Sequence, residues 1–522
     1  MKPFLAILGI AAVVLPQSQA PSTPKSGTGR MVLVDVVVRS KNGAVTGLSK
    51  TDFVLTDKGK EQKIEVFSAT AARGNTANGT PRTPGIGVNR VDWRGTQVQS
   101  TSIILFDRLN MTNTDQAAVR GQVLAFLSSL KETDSVAFYS LGEGLTIVHD
   151  FTESPAILAR AASRLRDSAN PSQPDDPAER STLKALQESL VPDQTRTPSF
   201  RVATTFRAFQ SIARHLAGLP GRKNLVWIAS TYPTTFGSDV NRRIEYDREV
   251  NAGIAILQEE NVALYTINPG GAGAGATETF TDNSRRPQEG HLMPGANAAQ
   301  SSQGAISDLS TLHTISDATG GVTYENANEI ASAMTSALAD QELEYTLGYY
   351  PDEKTLDGKL HDLNVKLVKK NETAGASVRF RKKYLATKTD PRSLTPPVGE
   401  LATDPLNATA VTVAALAQPD AARPGFKKVD VLVNVNDVKL ELRGDHWIGA
   451  FELGLYIDSG GTASGSAQTI NIDFTKEQLT QALSSGLIVG SAIDTKNQPV
   501  KLRAVVRDRA SGAAGSVSVP AS

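Results

Sequence analysis

Two hydrophobic rhythms divide the chain. Between Ile103 and Met334, short apolar runs alternate with longer stretches in which apolar residues recur every three or four positions. Ile103–Phe106, Val136–Tyr139, Leu225–Ala229 and Val262–Ile267 are too short for helices and are apolar on both faces, as strands inside a parallel sheet are. Thr146–Phe151 adds a further strand. Val119, Val123, Phe126, Leu127 and Leu130 fall on one helical face. So do Phe206, Phe209, Ala213 and Leu216, and later Val250, Ile254 and Leu257. Further stripes run through Leu158–Leu165, Leu309–Ile315 and Ile330–Gln341. Ser154-Pro155 marks a helix start, while Gly218–Gly221 and Gly320-Gly321 mark stops. Strand–helix alternation over residues 99–340 predicts an α/β fold with a doubly wound, Rossmann-like sheet covered on both faces.

The flanks read as β structure. Residues 31–70 form an N-terminal β unit with a hairpin-type turn at Asp57-Lys58-Gly59. Residues 341–386 form a β segment expected to pair with 31–70, so that the α/β layer is inserted through one small β unit. Residues 387–407 read as a Pro/Thr linker. Runs at Val429–Val435, Trp447–Tyr456 and Leu502–Arg507 predict a C-terminal β-sandwich over 408–522. Ala71–Arg94, Asp167–Pro198 and Gly270–Gln303 read as long loops, the second carrying a short helix near Leu183–Leu190.

The first 20 residues change the setting. Lys2, the apolar run Phe4–Leu15 and Ser18-Gln19-Ala20 match a signal peptide cleaved near Ala20, with 21–30 as a linker. The expected location is secreted or periplasmic. No other run approaches the ~18 apolar residues of a membrane helix, so no membrane span is expected after cleavage. The 522 residues carry 54 basic and 54 acidic side chains, which leaves no field to attract nucleic acid. With 0 cysteines the chain has no disulfide, thiol nucleophile or thiolate metal site.

Catalytic patterns are weak. The 6 histidines form no His-Glu-x-x-His, and no Gly-x-Ser-x-Gly elbow or Walker-type loop is present. His149-Asp150 reads as a strand-end pair. Gly270–Gly275 follows a strand, but no amphipathic helix comes after it to present an N-terminus to phosphate. Asp175, Asp176 and Glu179 read as a solvated acidic turn. Lys366, Lys369, Lys370, Arg379, Arg381, Lys382 and Lys383 read as a solvated basic face. A non-enzymatic protein is expected.

Ile103–Phe106 with Asp107 resembles the opening strand of a von Willebrand factor A domain. Pro220–Ile228 and Asn261–Ile267 resemble its fourth and fifth strands. With Val45–Phe53, Ala318–Gly321 and Tyr345–Tyr350, most of the chain is similar to the VWFA-related domain proteins of the acidobacterial type. The resemblance implies a metal-ion-dependent adhesion site, with Mg²⁺ or another divalent cation and an Asp-x-Ser-x-Ser first loop. Asp107 matches the first ligand, but Leu109 stands at the first serine. Asn110 and Thr112 offer oxygens one register off, and Thr204 or Thr205 stands where a second-loop threonine belongs. Ser230-Thr231-Tyr232 replaces the third-loop aspartate. The candidate metal set is therefore Asp107, Asn110, Thr112 and Thr205, a degenerate site. The expected function is capture of a protein partner, for adhesion or assembly, through Asp107, Asn110, Thr112, Thr204, Thr205 and Ser230. An envelope hydrolase with an unrecognised active site and a structural envelope protein are the alternatives.

Overall fold

The computed structural model describes residues 31–41, 43–71, 85–90, 101–132, 134–151, 153–167, 171–191, 197–219, 223–230, 240–269, 312–325, 330–339, 343–368, 375–388, 390–458, 463–496 and 499–521. The expected signal peptide and linker (1–30) and the Gly270–Gln303 loop lie outside them.

The first strands are β1 (Val32–Ser40), β2 (Gly43–Ala44), β3 (Phe53–Asp57), β4 (Lys60–Gln62) and β5 (Val66–Ala71). Period-two alternation in β3 puts Phe53 and Leu55 inside. Their partners come from the far side of the α/β region: β13 (Leu343–Tyr349), β14 (Leu360–Leu367), β15 (Ser377–Phe380) and β16 (Lys383–Leu385). β13 lies between β1 and β5, and β14 lies between β3 and β16. Val34, Val36, Leu55, Tyr345, Leu347 and Val365 pack between these two sheets. The segments before and after the α/β layer thus share one core. In the basic stretch of this unit, Arg381 is buried rather than solvated and donates to the Leu33 carbonyl. Lys382 pairs with Asp317 at 2.8 Å.

The α/β layer has six strands in the order β12–β11–β10–β7–β8–β9. These are β7 (Thr101–Asp107), β8 (Val136–Leu141), β9 (Leu145–His149), β10 (Lys223–Ile228), β11 (Val262–Ile267) and β12 (Thr323–Tyr324). All pair in parallel except β9, which is antiparallel to β8. β7, β8, β10 and β11 are buried at every position, so their centres read as apolar runs without alternation, with polar residues near their ends. One face is covered by α1 (Asn113–Ser128), α2 (Pro155–Asp167), α3 (Pro177–Ser189) and α7 (Ile330–Ala339). The other is covered by α4 (Pro198–Leu216), α5 (Val240–Glu259) and the helical residues 312–319, α6.

The expected loop Asp167–Pro198 contains a 13-residue helix, α3, longer than the short helix read there. Its polar first turn hides it from apolar periodicity. Asp176 caps it, and Glu179 is no part of a solvated turn: it is buried against Arg160 at 2.8 Å and Arg164 at 2.6 Å.

The C-terminal sandwich contains β17 (Val413–Pro419), β18 (Phe426–Val433), β19 (Glu441–Arg443), β20 (His446–Asp458), β21 (Ala463–Phe474), α9 (Lys476–Ser485), β22 (Leu487–Asp494), β23 (Val500–Asp508) and β24 (Ala514–Ala521). Two corrections arise here. The expected loop 71–94 contributes β6 (Ile86–Val88), which pairs with Ala414–Leu416 and completes the sheet β22–β18–β17–β6. Three residues are too few to show a period. The expected linker 387–407 contains regular structure: a 3₁₀ turn at Pro391–Leu394 and α8 (Val398–Leu401), with Leu401 and Leu406 packed inside. Leu406 joins the core of the α/β layer, and Arg392 makes two hydrogen bonds to the buried Glu260 at 2.6 and 2.8 Å. Those partners are remote in sequence, so the local Pro/Thr composition alone reads as a linker.

Candidate functional site

From β7 the chain proceeds through β8 and β9 on one side, then crosses to β10, β11 and β12 on the other. The carboxyl ends of β7 and β10 therefore flank the point where strand order reverses, which is where open α/β sheets leave a crevice for ligands. Asp107 ends β7 there and is 0% exposed.

Its carboxylate is enclosed by donors. Oδ1 accepts the Asn110 backbone N–H at 2.9 Å. Oδ2 accepts the Asn110 Nδ2 and the Trp227 indole Nε1, both at 2.7 Å. Asn110 also donates Nδ2 to Thr205 Oγ1 at 2.7 Å and accepts from Arg201 Nε at 3.0 Å. Its carbonyl receives the Ser230 N–H at 3.0 Å, which fastens the β10 loop to the β7 loop. Burial raises the Asp107 pKa, and the Asn110, Trp227 and Arg201 interactions pull it back, leaving it at about 6.

Of the residues singled out in the sequence, Asp107, Asn110 and Thr205 meet directly. Ser230 joins through its backbone, and its buried hydroxyl has no partner among the described residues. Thr204 is buried beside Thr205. Thr112 does not join them: it caps α1, accepting from Asp115 N at 3.1 Å and donating to its carboxylate at 2.9 Å. Leu109, at the expected serine position, is buried. Arg201 and Trp227 were not anticipated. The available signal was Trp227 itself, since an indole N–H near the end of a fully buried strand must find an acceptor.

A divalent Mg²⁺ or Ca²⁺ needs several oxygen ligands converging on one point. Around Asp107 the converging groups are N–H donors, with a guanidinium behind them. Thr205 Oγ1 is taken up by the Asn110 amide, and Thr112 faces its own helix. This donor set does not fit a divalent cation.

The rim of this buried cluster is different. Arg108 Nη1 donates to the Val191 carbonyl at 2.9 Å. Val191 is 55% exposed and Phe200, next to Arg201 on α4, is 37% exposed.

A second polar cluster lies where α4 ends. Asp150 accepts from the Tyr139 hydroxyl at 3.1 Å and lies 3.6 Å from His215 Nε2, an ion-pair rather than a hydrogen-bond distance. His215 Nδ1 donates to the Asn407 carbonyl at 2.7 Å. Burial disfavours both charges, but each stabilises the other, so the Asp150 pKa is lowered and that of His215 raised. His149 stands apart. Its Nδ1 is 3.2 Å from Glu153 yet not aligned for a hydrogen bond, and burial lowers its pKa to about 4.

No family model matches the chain, and no curated protein matches it. Solved structures give distant likenesses. An aerotolerance-related membrane protein from Bacteroides fragilis, with multiple mutations to serines, is 13% identical at TM-score 0.25, over 46% of this chain and 98% of that one. A von Willebrand factor type A protein from Catenulispora acidiphila is 10% identical at TM-score 0.25, over 63% of this chain and 75% of that one. The PilB minor pilin from Streptococcus sanguinis is 10% identical at TM-score 0.25, over 47% and 62%.

Proposed function

We propose that this chain is an exported, non-enzymatic protein-interaction module of the von Willebrand A-like type, used for adhesion or assembly without a metal ion. The observation that carries this reading is the Asp107 carboxylate, held by the Asn110 amide, the Asn110 backbone and the Trp227 indole where an adhesion-site cation would bind. Asn110 and Arg201 supply hydrogen bonds and positive charge in the cation's place. The crevice becomes a brace that fixes the β7, β10 and α4 loops relative to one another.

Asp107, Asn110, Thr204, Thr205 and Ser230 are all buried, so none of them offers a partner a surface. The partner-facing role passes to the rim they support: Arg108, Val191 and Phe200. Arg108 against Val191, with Phe200 exposed on α4, suits a protein surface, because Arg and aromatic side chains are enriched where interfaces bind tightly.

The test compares the wild-type chain with a Val191→Ser/Phe200→Ser double variant for capture of an envelope protein, in EDTA and in Mg²⁺. Equal capture in both buffers, lost in the double variant, is expected. Capture that requires the ion, or robust turnover of ester, peptide or glycoside substrates by the purified chain, overturns the reading.

A further inference from the structure

In the C-terminal sandwich the sheet β24–β23–β20 is extended by β21, which pairs with β20 in unbroken register from Trp447↔Phe474 to Asp458↔Ala463. Among the described residues β21 hydrogen-bonds to no other strand. Its outer edge therefore presents the outward-facing backbone donors and acceptors of a 12-residue strand. Residues 464–469 are exposed on both faces.

Edges of this kind pair with other strands unless something prevents it. Proteins usually prevent it with short edges, lysine, proline or a bulge. Several other sheet ends follow that practice: β4 and β16 have three residues each and carry lysine, and β9 has an irregular register against β8. β5, with six residues, and β22, with eight, also end a sheet without these devices, and β21 with twelve is the longest of the three. β24 carries Pro520 and lies close to β6, where Gly87 leaves room for Val519. β21, Ala-Ser-Gly-Ser-Ala-Gln-Thr-Ile-Asn-Ile-Asp-Phe, has no lysine, arginine, proline or bulge. Asp473 is its single charge.

We propose that β21 is a self-association edge: two copies of this chain pair β21 with β21, antiparallel, about a two-fold axis at Gln468. Charge selects this occupant and this direction. The strand is almost neutral and the chain carries 54 charges of each sign, so neither a strongly charged partner nor repulsion between copies is built in. Centred on Gln468, the antiparallel register sets Asp473 of each copy against Ala463 of the other, which parts the two aspartates by ~33 Å along the strand. A parallel in-register pair would instead stack Asp473 on its twin. A two-fold pairing uses the β21 edge of both copies at once, so it closes at a dimer. The result is one continuous sheet across both sandwiches.

The edge lies apart from the Asp107 brace and its rim, so the proposal stands or falls separately from the function above. The test is sedimentation of the purified chain from micromolar to sub-millimolar concentration, for wild type, Gln468→Lys, Gln468→Glu and an equal mixture of the two variants. Gln468 is exposed, so both variants keep the fold. Each faces its own like charge across the axis. The expected result is a wild-type monomer–dimer equilibrium, two monomeric variants, and dimer restored in the mixture. A wild type that stays monomeric overturns the proposal, as do variants that still dimerise or a mixture that does not. A monomeric wild type whose β21 amides become protected from exchange only when another protein is added would assign the edge to a foreign strand.

Discussion

A carboxylate as enclosed as that of Asp107 is costly to bury unless its oxygens are matched, because the charge loses its hydration. Three N–H groups supply the match. Trp227→Phe keeps an aromatic ring but removes one of them and part of the buried ring volume, and should cost at least about 1–3 kcal/mol in denaturant unfolding, with a cavity term added. An unchanged midpoint would show that the indole bond to Asp107 contributes nothing. Titration gives a second check, since two buried groups act in opposite directions. The native Asp107 pKa is raised, to about 6 from 3.8, so between those values the native state holds a proton the unfolded chain has lost, and stability falls as pH rises. The native His149 pKa is lowered, to about 4 from 6.5, so its contribution is present above 6.5 and is lost as pH falls through that window. His149→Gln should therefore lose less stability than wild type between pH 6.5 and 4, while Asp107→Asn should lose more. Stability curves that superimpose with wild type for both variants would remove the two groups from the account.

At the scale of elements, the end of α4 clasps the segment that leads into the sandwich. Arg214 pairs with Asp404 at 3.0 Å, each 11% exposed, and Ser211 also donates to Asp404. Thr409 donates to the His215 carbonyl at 2.8 Å and accepts the Gly218 N–H at 2.9 Å. A Cβ on Gly218 would stand 1.9 Å from the Thr409 carbonyl oxygen, so the close approach requires glycine. Asp404→Ala leaves the Arg214 guanidinium buried without its carboxylate, a change that costs about 3–5 kcal/mol in buried pairs. It should split thermal unfolding into two transitions as the sandwich uncouples; one unchanged transition would contradict the clasp. The contrast in what the sequence revealed follows from the same physics. β11 was readable to its ends because every side chain in it is buried, and Ile103–Phe106 falls inside β7 for that reason. β6, the 391–406 segment and the Arg201–Asn110 contact depend on partners tens to hundreds of residues away, and no local period encodes those. In the site, Asp107 was legible from its place after an apolar strand. That amide and indole donors enclose it was visible only once α4 and β10 stood beside it.

For the whole molecule, connectivity ties three bodies together. The α/β layer runs between two halves of one β unit, and β6 enters the sandwich before the chain has begun that layer. No cut between 90 and 408 therefore yields a part with all its partners. Residues 99–340 alone lack Leu406 from their core and the Arg392 partner of Glu260. That fragment should unfold at lower denaturant concentration than the full chain, and equal midpoints would show that the bodies are energetically independent. Among the described residues no helix is long and apolar enough to cross a membrane.

Under the proposed function, hydrogen-bond donors hold the Asp107 carboxylate at the carboxyl edge of the sheet and no cation binds there. Thermal unfolding of the wild-type chain and of Asp107→Asn in EDTA, Mg²⁺, Mn²⁺ and Ca²⁺ tests it most directly, because an ion bound only by the native state adds about 2.7 kcal/mol at a hundredfold excess over its dissociation constant. The same midpoint is expected in every buffer for the wild type. An ion-dependent rise that disappears in Asp107→Asn would contradict it.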